Sequence, residues 1–261
     1  METSKRHHMI TSINDQLSKF AVSHFQSKKT PFAFFAEIPE TCETDDLKNY
    51  LSPEECARAA RFYFRTDHDS FVVAHAIKRL ALGAMTCQTP TDVPLTIGSH
   101  GKPRLIRACD EDPIQFSLSH TKGVVAFAVA FQAPIGVDVE CVNLNIDTAN
   151  LAKTFLASQD TDLLNSVADT ERQETFFQLW TAKEAYIKGI GLGMSHSLKS
   201  FFVEALDYKS RICDSQTGAP LNWITQSCQP TPKHYMSSAI ESQSASDDQV
   251  TFLELPFQMI G

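Results

Sequence analysis

Two short stretches carry residue types that could do chemistry together. Residues 135–140 read Ile-Gly-Val-Asp-Val-Glu, and residues 180–188 read Trp-Thr-Ala-Lys-Glu-Ala-Tyr-Ile-Lys. In the first, apolar and acidic residues alternate, and the valines favour an extended chain. Side chains at i and i+2 share one face of a strand, so Asp138 and Glu140 point the same way, roughly 7 Å apart at their Cα atoms. Neighbouring carboxylates repel unless a proton or a cation lies between them. With Glu184 close in space, three carboxylates form a hard-oxygen site. Such a site suits Mg²⁺, or Mn²⁺, with water and phosphate oxygens completing the shell.

The second stretch ends a helix predicted from Glu171 to Lys188. At about 100° per residue, Phe176, Phe177, Leu179, Trp180 and Ile187 share one arc. Lys183, Glu184 and Lys188 fall in or beside it. A carboxylate on an apolar face needs a cation or hydrogen bonds. The bland alternatives are an internal Glu184–Lys188 pair one turn apart and a solvated edge strand carrying Asp138 and Glu140.

A third stretch offers an anion site. Gln115–Gly123 reads as a strand running into a turn, followed by a returning strand at Val124–Phe131. Ser119 and His120 would sit at the turn, where hydroxyl, imidazole and free N–H groups can meet a phosphate. Upstream, Gly101-Lys102-Pro103 is a rigid exposed turn with one cation. Taken singly, each is ordinary turn chemistry.

Taken in order, Gly-Lys-Pro, Ser-His-Thr, Gly-Val-Asp-Val-Glu and Trp-Thr-Ala-Lys-Glu-Ala-Tyr-Ile-Lys resemble the two-lobed, surfactin-type 4′-phosphopantetheinyl transferases. The resemblance runs from about Leu51 to Gly193. It implies a Mg²⁺-dependent enzyme that moves the phosphopantetheine arm of coenzyme A onto a serine of an apo acyl or peptidyl carrier protein, releasing adenosine 3′,5′-bisphosphate. It also implies roles. Asp138, Glu140 and Glu184 surround the metal and pyrophosphate, and Glu184 is in addition the base for the carrier serine. Lys188 contacts phosphate and protonates the leaving group. Ser119 and His120 hold coenzyme A phosphates, Lys102 and Pro103 flank the adenine end, and Lys183 joins the coenzyme-binding set. Arg58, Arg65 and Arg79 are the basic candidates upstream. Relatives often have a basic residue where this chain has Ser70, and some have lysine in place of Glu55. That leaves the 3′-phosphate to Arg58 or Arg65.

The same residues support two other readings: a Mg²⁺-dependent nucleotide phosphohydrolase using water as nucleophile, and a carrier-binding module without catalysis.

Composition narrows the field. The 261 residues carry a net charge of −8, which argues against a general nucleic-acid binder. The span from Arg58 to Lys122 is nonetheless comparatively basic. Seven scattered cysteines contain no Cys-x-x-Cys pair, so reduced thiols in a cytoplasmic protein are expected rather than a zinc site or a disulfide framework. No apolar run approaches a membrane span, and residues 1–8 lack the apolar core of a signal peptide.

These residues need elements to hold them. A helix is predicted at Ile10–Ser27, a strand at Phe32–Ile38 and a helical turn at Asp45–Tyr50. A helix follows from Ser52 to about Phe64 with Ser52 as its cap, then another at Asp67–Ala84. Strands are expected at 93–98, 104–106, 114–118 and 124–131. Pro134 marks a lobe junction. Helices at 148–154, 158–167 and 171–188 follow, then strands at 201–206, 221–226, 235–241 and 250–255 in one antiparallel sheet, with a polar loop at 242–248. The expected fold is α+β: lobes 1–133 and 134–261, each a small antiparallel sheet packed by helices. The family resemblance makes them a pseudo-twofold pair with the cleft between, and a monomer suffices. The first lobe would supply coenzyme A contacts, the second the metal carboxylates and catalytic helix.

Overall fold

A computed structural model describes residues 30–39, 43–106, 114–242 and 250–254. The helix expected at Ile10–Ser27 lies outside them, as does the polar loop beyond Ser242. In chain order the elements are β1 (Phe32–Glu37), α1 (Pro53–Ala59), α2 (Arg65–Thr86), β2 (Leu95–Ile97), β3 (Pro103–Leu105), β4 (Ile114–Thr121), β5 (Val124–Phe131) and β6 (Ile135–Cys141). Then come α3 (Thr148–Phe155), α4 (Ser158–Ser166), α5 (Arg172–Ile190), β7 (Phe201–Val203), β8 (Lys209–Asp214), β9 (Pro220–Thr231), β10 (His234–Glu241) and β11 (Thr251–Glu254). A short 3-10 turn at Asp46–Tyr50 precedes α1. No helix among the described residues is long and apolar enough to cross a membrane.

One sheet has the order β11-β1-β5-β4, a second β6-β10-β9-β8-β7, and β2 and β3 form a hairpin. The helix α2 covers one face of the first sheet: Phe71, Ile77 and Leu80 pack with Phe34, Phe116 and Phe127. The helix α5 covers the second, through Phe177, Leu179 and Ile187 with Ile212 and Trp223. A third apolar cluster lies between the sheets, joining Ala33, Phe35 and Ala128 to Val137, Val139, Met236 and Ile240. The two halves thus share a core.

Two expectations change here. The strand at the chain's end does not join the second sheet; β11 runs parallel to β1 in the first. The reason lies in β1, where Phe32 and Phe34 face one core and Ala33 and Phe35 another. A strand apolar on both faces lies between two covering layers, and in the sheet its two edges are paired by β5 and β11. In addition, α1 stops at Ala59, short of Phe64. Its start is a full capping box: Ser52 Oγ accepts from the Glu55 amide at 3.2 Å, and Glu55 Oε2 accepts from the Ser52 amide at 2.9 Å.

Close backbone approach sets the position of α5. Gly136 on β6 lies against Ala185 and Gly189 of α5; a Cβ on Gly136 would fall 1.9 Å from the Ala185 carbonyl oxygen. A Cβ on Gly189 would fall 2.4 Å from the Trp223 ring. The helix therefore rests directly on β6, two residues before Asp138 and one turn after Glu184.

Lys183 corrects the expectation that it contacts coenzyme A. Its side chain is fully buried and bonds Asp160 of α4 and the Phe201 carbonyl, with its ammonium 4.2 Å from the Phe201 ring centroid. Asp160 also accepts from the Val203 amide at 3.1 Å and the Ala157 amide at 3.2 Å. The pair ties α4, α5 and β7 together on the side of α5 away from the cleft. Lys183→Met would leave Asp160 buried without its cation, at a cost of about 3 kcal/mol. Urea unfolding measures it, and an unchanged midpoint would contradict the assignment.

Candidate functional site

The edges of the two sheets meet at β4 and β6, joined by serine side chains instead of a β ladder. Ser117 Oγ accepts from the Val137 amide at 3.1 Å, and Ser119 Oγ accepts from the Val139 amide at 3.4 Å. Ser119 and His120 are therefore strand residues, not turn residues. Their positions oppose Ala126 and Val125 in the β4–β5 ladder. The turn itself is at Lys122-Gly123, with Gly123 at φ +85°.

At this seam a charged group forms. Lys188 Nζ, from the last turn of α5, donates to Asp138 Oδ1 at 2.6 Å and to Ser119 Oγ at 2.8 Å. Ser119 in turn donates to Asp138 Oδ1 at 2.9 Å. Asp138 is 3% exposed, so it is no solvated edge residue. The bland alternative of a pair within α5 gives way to this one: Lys188 bridges to β6 rather than to Glu184. Glu140 and Glu184 complete the group. Burial, then the Asp138 charge, with a smaller push from Glu184, raise the Glu140 pKa to about 7. Burial and Asp138 likewise push Glu184 above the ordinary carboxylate range, with Lys188 pulling it back. Three carboxylates from β6 and α5 thus sense one another.

Among the described residues no group of three or more His, Cys, Asp or Glu side chains forms a ready-made metal cage. The donor set nonetheless fits a hard cation. Asp138 Oδ2 is buried without a hydrogen-bond partner, and its neighbours are carboxylates whose pKa values are raised by burial and by the Asp138 charge. An ion such as Mg²⁺ keeps several waters and phosphate oxygens, so it needs few protein ligands.

Beside this group runs a cleft of about 600 Å³. Lys188 lines it from α5, His120 from β4, Lys102 and Pro103 from the β2–β3 hairpin, and Arg58, His75, Lys78 and Glu55 from α1 and α2. His120 is desolvated by the cleft and repelled by His75, Lys188 and Arg58, which lowers its pKa although the ring stays open to water. It is a neutral imidazole near neutral pH. Lys102 reaches out of the β2–β3 hairpin and donates to the Ile135 carbonyl at 3.0 Å and the Gly189 carbonyl at 2.8 Å. It bolts the hairpin to β6 and the end of α5, and burial lowers its pKa to about 8.

One of the three expected arginines stands elsewhere. Arg65 is exposed on the surface and pairs with Asp69 at 3.3 Å. Arg79 lies at the cleft wall, with Nε and Nη1 engaged by the protein itself. Nε bonds Glu55, and Nη1 donates to the carbonyls of Pro90, Thr91 and Val93. Arg58 does face the cleft, its guanidinium 5.3 Å from the Phe71 ring centroid. The residues that sequence reasoning passed over are Glu55 as a hub, His75, Lys78 and His100, all lining the cleft. The signal for the α2 residues was available: His75, Lys78 and Arg79 interrupt an otherwise apolar run, and interruptions of that kind mark paired or functional charges.

Comparison with known proteins agrees on one family. The profile of the 4′-phosphopantetheinyl transferase superfamily matches residues 134–238, from β6 to β10. The chain is 37% identical over 157 residues to the 4′-phosphopantetheinyl transferase HetI of Nostoc sp., covering 60% of this chain and 66% of that one. It is 35% identical over 160 residues to the 4′-phosphopantetheinyl transferase psf-1 of Bacillus pumilus (61% and 66%). The 4′-phosphopantetheinyl transferase Sfp of Bacillus subtilis is 29% identical over 162 residues (62% and 69%). The chain thus spans just under two thirds of the length of HetI and psf-1.

Proposed function

Because the chain belongs to the 4′-phosphopantetheinyl transferase superfamily, we propose that it transfers 4′-phosphopantetheine from coenzyme A to a serine hydroxyl of an apo acyl or peptidyl carrier protein. The observation that carries this reading is the meeting of Asp138, Glu140, Glu184 and Lys188 at one end of a cleft lined by Arg58, Lys102 and His120. A pyrophosphate needs cations along its length and an acceptor for the nucleophile's proton at its reacting end, and both are present.

In the reaction the serine Oγ bonds the phosphorus next to pantetheine. The bond from that phosphorus to the bridging oxygen breaks, and adenosine 3′,5′-bisphosphate leaves with the bridging oxygen. Glu184, its pKa raised by burial and by Asp138, accepts the serine proton. Lys188, already a donor to Asp138 and Ser119, stabilises charge on the departing phosphate. His120 donates a hydrogen bond to a phosphate oxygen. A Mg²⁺ ion held by Asp138, Glu140 and Glu184 would neutralise the pyrophosphate and orient it.

The direct test incubates the protein with coenzyme A, Mg²⁺ and an apo-carrier and reads the carrier by mass spectrometry. A gain of one phosphopantetheinyl group is expected. Coenzyme A hydrolysed with the carrier unmodified would favour the phosphohydrolase reading, and coenzyme A left intact would favour a binding module. A narrower prediction concerns His120→Ala. The KM for coenzyme A should rise about tenfold with kcat within about threefold, as loss of a charged hydrogen bond used equally in ground and transition states demands. Steady-state kinetics check it; a lost kcat at unchanged KM would contradict it.

A further inference from the structure

The cleft's far end is walled by a carboxylate that takes the neighbouring cations for itself. Glu55 accepts from Lys78 Nζ at 2.6 Å, from His75 Nδ1 at 2.9 Å, from the Ser52 amide at 2.9 Å and from Arg79 Nε. Lys78 also lies 3.0 Å from His75 Nδ1, and both Lys78 and Arg79 are almost wholly buried. Arg79 Nη1 is taken up by three backbone carbonyls, so Glu55 and the backbone engage Lys78 and part of the Arg79 fork. His75 is stacked on Phe71 at 3.9 Å between centroids, and desolvation lowers its pKa. Glu54 adds a second carboxylate to the same wall. Arg58 is the one cleft-facing cation at this end, among the described residues, for which no ion pair is found.

The chemistry of such a wall differs from that of a phosphate clamp. A phosphate monoester is held by forked, unengaged cations. A carboxylate accepts from a sugar hydroxyl and repels a phosphate, as in the two alternative ribose-end contacts of dinucleotide folds. The reacting end of the donor lies at Lys188 and Asp138. His120, which senses both Lys188 and His75, stands between. The nucleoside end of the donor must then approach Glu55.

We propose that Glu55 makes this protein indifferent to the 3′-phosphate of its donor, so that 3′-dephospho-coenzyme A, ending in a ribose hydroxyl, serves as well as coenzyme A. This rests on the transferase reading above. The bond changes are the same; the leaving group becomes adenosine 5′-monophosphate, which carries off the bridging oxygen, and the serine proton again passes to Glu184.

The test compares kcat/KM for the two donors on the full-length protein with one apo-carrier. A phosphate read by direct charged hydrogen bonds would give about ten- to a hundredfold preference for coenzyme A. A ratio below about tenfold supports the proposal, and a ratio at or above it overturns it. Glu55→Gln, which keeps the amide-capping geometry but frees the charge of Lys78 and Arg79, should raise the preference for coenzyme A by about tenfold. An unchanged or lowered preference would overturn Glu55 as the cause. Should that variant not fold, product inhibition of the native protein gives the same reading. Adenosine 5′-monophosphate and adenosine 3′,5′-bisphosphate should inhibit within about tenfold of each other, and a wider gap favouring the bisphosphate counts against the proposal. Transfer from coenzyme A alone sinks this inference and leaves the transferase reading intact, whereas no transfer from either donor sinks both.

Discussion

Glu184→Gln is expected to lower kcat by about a thousandfold, the scale of a lost general base, while coenzyme A still binds within a few-fold of the native affinity. The side chain keeps its size, so α5 and its contacts stay in place. What disappears is a carboxylate that can accept a proton and share a cation with Asp138 and Glu140. Its raised pKa matters here: a base in the ordinary carboxylate range would hold the serine proton weakly. Rapid-quench transfer assays beside calorimetry with coenzyme A separate the effects. A variant that turns over near normally would remove Glu184 from the mechanism. A variant that cannot bind coenzyme A would make it a binding residue first.

Gly136→Val should be at least as damaging by another route. The new Cβ would meet the Ala185 carbonyl oxygen at 1.9 Å and the Gly189 Cα at 2.9 Å. Both are backbone atoms, so no rotamer relieves the clash and α5 must lift off β6. That parts Asp138 from Lys188 and opens the core around Leu179 and Ile187. A loss of about 5 kcal/mol, or no folded protein, is expected. Thermal unfolding and soluble yield test it. A variant with native stability would show that the helix does not rest on this glycine.

What could be read before the fold was known follows from which residues sit on regular elements. Asp138 and Glu140 share a face because strand geometry places i and i+2 together, and Glu184 and Lys188 lie one turn apart on a helix. Their placement needs only local periodicity plus one packing contact. Lys183 resisted the same logic. A helical arc says which side a residue faces but not what waits there, and its partner Asp160 comes from another helix. The engagement of Arg79 was hidden for a like reason: its position in α2 is local, while the acceptors of its Nε and Nη1 are Glu55 and three backbone carbonyls. The placement of Ser119 and His120 shifted from turn to strand because β4 runs three residues past the expected Leu118, up to the turn at Gly123. Least legible was β11, four residues with no local mark of the sheet they join.

That last strand has a consequence for how the protein is made. Phe32–Glu37 leaves the ribosome about two hundred residues ahead of Thr251, which at 5–20 residues per second is about ten to forty seconds. For that interval the nascent chain carries Phe-Ala-Phe-Phe-Ala with one edge unsealed, the sort of segment that recruits other chains. Truncation ahead of Thr251 would make this temporary hazard permanent, and aggregation during expression, not lost catalysis, would be its first symptom.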